Sequence, residues 1–176
     1  AEGRDPQFSG FTKLMRYGNQ VSHLLCGAKH EADVAIVYHA ELEWCNGASS
    51  MLTQVPAKIL YEQQIDFDIL PFDALASANV EDGLLRVNEE TYKALLVPGC
   101  AALPEALLAI LQRLENAGLP VWFVEERPKE ADFGLVVSQA CLAEEAKKFA
   151  TVHIAPANPL LRVYRAQREA DWIYML

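Results

Sequence analysis

Hydrophobic residues recur along this chain at two periods, and the two alternate. Over residues 11–28, Leu14, Tyr17, Val21, Leu24 and Leu25 are spaced by three and four, which stacks them on one helical face, and Gly27 stands where such a helix stops. Residues 33–38, DVAIVY, form the short β-branched run expected of a buried strand. The polar loop HAELEWCNGASS follows. Residues 55–64 then read as a helix that accepts Pro56 only in its first turn. FDILP (67–71) is a second strand, 72–78 a turn or short helix, 84–87 a minor strand, and ALLVP (94–98) a strand ending at Gly99. The clearest helix spans 104–117. Pro104 opens it, Leu107, Leu108, Leu111 and Leu114 carry its apolar face, and Gly118 closes it. VWFV (121–124) is a further strand, 125–132 a charged loop, 139–149 a helix and 151–154 a fifth strand of the alternating set. After Pro156 and Pro159 the pattern changes, and 161–165 and 172–176 flank a polar turn at 167–171, which predicts an antiparallel hairpin.

Strands alternating with helices predict an α/β fold with βαβ units and a mostly parallel sheet. Five such strands fit a flavodoxin-like, doubly wound sheet of order 2-1-3-4-5, with an N-terminal helix and a C-terminal β-hairpin. The expected division is a tail at 1–10, a linking helix at 11–30, the α/β domain at 31–156 and the hairpin at 157–176.

Composition narrows the partners. The chain of 176 residues is one domain's worth, and 15 basic against 24 acidic residues give a net charge of −9. Phosphate binding rests on clustered Lys and Arg, so no nucleic-acid partner is expected. No apolar run approaches the roughly 20 residues of a membrane span, and AEGRDPQFSG lacks the apolar core of a signal peptide. The expectation is therefore no membrane partner and a cytoplasmic location. Cys26, Cys45, Cys100 and Cys141 are far apart and form no C-x-x-C, which points to reduced thiols and no metal site. Without a phosphate-cradling Gly-rich loop, no cofactor is expected.

In a sheet of this kind ligands gather beyond the C-terminal strand ends, where the strand order reverses. Those ends supply His39, Glu41, Glu43, Trp44 and Cys45 from one loop and Gly99 and Cys100 from another. A thiol, an imidazole and two carboxylates in one crevice suit a nucleophilic enzyme, with Cys100 attacking and His39 as base. Each residue also has a plainer reading. Cys100 after a buried strand is a small packed side chain. His39 bonds loop backbone, the two glutamates are solvated, and Trp44 either lids the core or offers a stacking surface for a sugar or partner.

The runs ADVAIVYHAELEW, QIDFDILPFDAL and YKALLVPGCAALPEALLAILQRLENAGLPVWFVE, in that order, resemble the class I glutamine amidotransferase-like domain of multidomain bacterial glycoside hydrolases. Such a domain follows the catalytic barrel in family 42 β-galactosidases. FTKLMRYGNQVSHLLCGAKHEADVAIVY is similar to the helix linking barrel to domain, and LLRVYRAQREADWIYML to strands leading into a further β-domain. The resemblance implies a degenerate site. True amidotransferases place their oxyanion loop after a strand of the LLVPG kind, which Val97, Pro98 and Gly99 match. Their nucleophilic Cys sits on a G-x-C-x-G elbow after the next strand, where this chain has Glu125, Glu126 and Arg127. Their late H-x-E is replaced by His153, Ile154 and Ala155. The implied role is non-catalytic, structural or oligomerising, with the parent's barrel as partner, apolar surface on the N-terminal helix, and a homo-oligomer left open. Two other readings stand beside it: a carbohydrate or small-ligand binding domain at the crevice, and a small Cys100-dependent hydrolase.

Overall fold

The computed structural model describes residues 7–40 and 50–176. Helix α1 (Phe8–Leu25) opens the described chain, starting three residues earlier than its periodicity predicts. A two-residue strand β1 (Lys29–His30) leads into β2 (Val34–Tyr38). Then come α2 (Gln54–Glu62), β3 (Phe67–Pro71) and the single-turn α3 (Phe72–Ala76). A small meander follows: β4 (Asn79–Glu81), β5 (Leu84–Val87) and β6 (Glu90–Tyr92). The remaining elements are β7 (Ala94–Pro98), α4 (Glu105–Asn116), β8 (Val121–Val124), β9 (Leu135–Val137), α5 (Gln139–Lys147), β10 (Tyr164–Arg168) and β11 (Asp171–Met175).

The architecture is α/β. Five strands form one sheet in the order β3-β2-β7-β8-β9, with every neighbouring pair parallel. Two three-stranded antiparallel sheets, β1-β10-β11 and β4-β5-β6, accompany it. Side chains alternate across a strand, so the central sheet feeds two cores. On one face Val37, Leu95, Val97 and Phe123 meet Leu75 of α3, Leu107 and Leu111 of α4, and Leu85 of the meander. On the other, Val34, Ile36, Leu96 and Trp122 meet Leu60 of α2 and Leu142 of α5. Both faces are covered, which explains why the central strands read as unbroken apolar runs.

The fifth strand is not where its pattern predicts. Residues 151–154 form no strand; β9 takes that place in the sheet. Side chains, not a ladder, hold the segment after α5. Thr151 donates its N–H and its hydroxyl to Asp33 at 2.7 Å each, and Asn158 donates its N–H to Gln64 Oε1 at 3.0 Å. In the hairpin the first strand is displaced by three residues and the second by one. Its turn is two residues long, with Glu169 at φ 54°, so Gln167 and Arg168 belong to β10 rather than to the loop. The polar NEETY segment supplies β6.

Gly134 makes the entry to β9 possible. Its φ is +74°, and a Cβ there would lie 2.6 Å from Phe123 Cε2 and 3.2 Å from the Val121 carbonyl. Gly134→Ala is therefore expected to cost about 2–4 kcal/mol. Gly18→Ala, with open space around it in α1, should cost nothing. Urea unfolding of the two variants checks both.

Candidate functional site

At the C-terminal end of the central sheet a cavity of about 330 Å³ is lined by Ser50, Met51, Val55, Gly99, Glu125, Glu126 and Gln139. Gly99 is there because nothing larger fits: a Cβ would approach the Val124 carbonyl to 2.3 Å. Its own carbonyl accepts the Met51 N–H at 2.7 Å, and Ser50 bridges Cys100, which pins the segment before α2 to the end of β7.

Glu125 directly follows β8 and holds φ at 69°, an uncommon conformation for a residue with a Cβ. Its N–H donates to the Val137 carbonyl. Its carboxylate accepts the N–H of Gln139, the first residue of α5, and so caps that helix where the backbone is electron-poor. The bend after β8 thus carries a carboxylate engaged in structure.

Of the three expected crevice residues that are described, His39, Gly99 and Cys100, Gly99 alone lines this cavity. Cys100 is 1% exposed and packs among the core residues facing α4. Burial, and then the charge of Glu126, push its thiol up to about 12, far from a thiolate at neutral pH. His39 is 2% exposed at the end of β2, and neither ring nitrogen has a hydrogen-bond partner among the described residues. Glu41, Glu43, Trp44 and Cys45 lie outside the described residues. Among the described residues no group of three or more His, Cys, Asp or Glu is arranged to hold a metal ion. No described helix is long and apolar enough to cross a membrane.

The densest polar chemistry lies at the opposite, N-terminal end of the sheet. His30 sits between two carboxylates, Nε2 at 2.8 Å from Asp66 and Nδ1 at 3.1 Å from Asp68. Its ring stacks on Tyr164 with centroids 4.5 Å apart and planes within 5°. Tyr92 donates its hydroxyl to Asp68 at 3.0 Å. Burial alone would lower the imidazole's pKa, but the bonds and charges of Asp66 and Asp68 outweigh it and raise it to about 10. Beside this group, Asp33 is paired with Lys93 at 2.7 Å and Arg165 at 3.3 Å. Burial works against the Asp33 carboxylate, yet Lys93, Thr151 and Arg165 hold it below the usual range.

Sequence reasoning missed this end of the sheet entirely. One sign was present: Asp66 and Asp68 alternate with Phe67 in QIDFDI, so both carboxylates share a side where a β-branched run would place apolar groups.

Comparison of the chain with protein-family models, with curated proteins and with solved structures gave no match.

Two outcomes follow from the geometry. Under limiting iodoacetamide at neutral pH, exposed Cys26 and Cys141 should label well before buried Cys100, as read by peptide mass spectrometry. His30 gains a proton on folding, so its contribution is complete below pH 6.5 and is lost as pH rises toward about 10. Denaturant midpoints should fall across that window. His30→Gln should flatten the fall and cost roughly 2 kcal/mol at pH 6, less than the ~3–5 kcal/mol for breaking a fully buried pair because this one is partly wetted.

Proposed function

We propose that this chain is a non-catalytic interaction domain of a larger carbohydrate-active glycoside hydrolase, built on an amidotransferase-like scaffold without that family's chemistry. Numbering the central strands in chain order turns β3-β2-β7-β8-β9 into 2-1-3-4-5, the flavodoxin-like order. The bend after β8 keeps a left-handed residue at the position of the amidotransferase nucleophile, but the residue is Glu125 and its carboxylate is used as a helix cap. A thiol-dependent hydrolysis draws no support from Cys100, which is buried and protonated.

The observation that carries the proposal is α1. It is an 18-residue helix with Phe11, Leu14, Met15, Tyr17 and Leu24 all exposed, Leu14 and Tyr17 at 64% and 60%. Among its described side chains only Val21 and Leu25 are even half-buried. A stripe of large apolar groups along a whole helix face marks a surface meant for burial against a partner. In the proposed parent that partner is the catalytic barrel.

The test has two parts. Phe11→Glu, Leu14→Glu and Tyr17→Glu together should leave the melting temperature of this chain within about 2 °C, since the face supports no core. The same triple change in the parent enzyme should destabilise it. Purified alone, the chain should turn over neither chromogenic galactosides nor glutamine. Robust turnover of either, or a reading frame with no barrel upstream, overturns the proposal.

A further inference from the structure

The outer face of the β1-β10-β11 sheet is composed unlike any other surface described here. Paired residues of neighbouring strands share a face. Lys29 pairs with Gln167, and Gln167 with Trp172, giving one row across all three strands. Glu31, which donates its N–H to the Arg165 carbonyl at 2.9 Å, begins a second row that continues through Arg165 to Tyr174. The alternate residues Ala166 and Ile173 are buried on the other side. The outer face is therefore polar on two strands and aromatic on the third.

The aromatic strand is open. Trp172 and Tyr174 are 46% and 56% exposed, with ring centroids 6.4 Å apart and planes 30° from each other. The polar strands are ordered. Lys29 pairs with Glu31 at 3.1 Å, and the Arg165 guanidinium donates to the Glu31 carbonyl at 3.1 Å and to Asp33 at 3.3 Å. The same guanidinium carbon lies 5.3 Å from the Trp172 ring centroid. Glu31 and Arg165 also belong to a cavity of about 220 Å³, whose wall continues through Asp33, Thr91, Lys93 and Thr151.

We infer that Trp172 and Tyr174, together with this adjoining polar cavity, form a binding surface for a neutral oligosaccharide. Two half-exposed aromatic rings, their planes 30° apart, offer apolar area against which the C–H side of a pyranose stacks. The neighbouring groups offer donors and acceptors but little net field, because Glu31 and Asp33 are each paired with cations. With its charges already paired, the surface suits neutral hydroxyl groups. The cavity is smaller than the roughly 300–1,000 Å³ of sites for drug-sized ligands, so it takes one sugar ring while the next rings lie across the aromatic strand. The surface is at the opposite end of the central sheet from the Gly99 cavity and does not involve α1. The inference therefore stands or falls separately from the docking role.

Saturation-transfer NMR on this chain with β-1,4-galactotetraose, cellotetraose, xylotetraose and mannotetraose at millimolar concentration tests it, with inorganic phosphate as the charged control. At least one tetrasaccharide should receive saturation and perturb tryptophan fluorescence. Trp172→Ala and Tyr174→Ala should each weaken it about tenfold, and Trp172→Phe should retain most of the affinity. Thr91→Leu, which fills the cavity without removing a charge, should weaken it too. All three side chains are outside the core, so unchanged melting temperatures confirm folding. No transfer to any tetrasaccharide, binding indifferent to Trp172→Ala, tighter binding of phosphate, or a Trp172-dependent self-association without sugar binding would each overturn the inference.

Discussion

A single carboxylate joins the parts of this fold that no strand ladder connects. Asp33 stands immediately before β2. It meets Lys93 from the segment before β7, Arg165 from β10, and both the N–H and hydroxyl of Thr151. These partners come from places 60 to more than 130 residues away in the chain. A buried carboxylate is costly unless its lone pairs are filled, and here Lys93 and two residues of the C-terminal third, Thr151 and Arg165, fill them. The segment after α5 and the C-terminal hairpin are therefore specified by electrostatic satisfaction as much as by apolar burial. His30, held between Asp66 and Asp68, repeats the device at the same sheet end.

The two ends of the central sheet have accordingly diverged. The C-terminal end, where α/β folds usually keep their chemistry, has a modest cavity, a buried protonated thiol and a strained glutamate used as a helix cap. The N-terminal end, usually reserved for stability, carries the charge network and the aromatic face. The strain at Glu125 is of the kind that elsewhere positions a reacting atom. In this chain it joins β8 to α5 and leaves the carboxylate occupied.

Central strands were legible in the sequence because both their faces are dry: 94–98 and 121–124 coincide with β7 and β8. The edge strand at 67–71 and the meander strand at 84–87 coincide with β3 and β5 as well. The helices were legible from leucines at helical spacing, to within three residues. Errors occurred where something other than periodic burial decides the backbone. Thr151, Val152 and Ile154 have β-branched side chains and no strand; at the start of the run Asp33 takes the Thr151 N–H that a ladder would use. The strand at 135–137 was missed because two of its three residues face solvent. The hairpin moved because Glu169 adopts a left-handed turn conformation without being Gly or Asn. The candidate site was scarcely legible. Cys100 and His39 are near the expected strand ends, but whether a side chain enters a crevice or a core depends on strand parity at the last residue. The charge network needed four segments to meet, which no local pattern encodes.

Helix α1 passes directly into β1, and β1 is only two residues long. Its ladder to β10 is correspondingly slight, supplemented by Arg168 donating to the Leu24 carbonyl at 3.1 Å. Under the proposed docking of α1, its partner acts as a lever on this joint. A pull along the helix loads a two-rung ladder in shear, and the imidazole wedged between two acids is the rivet beneath it. Motion of a bound neighbour would reach the aromatic strand of the hairpin through that rivet before it disturbed either dry core.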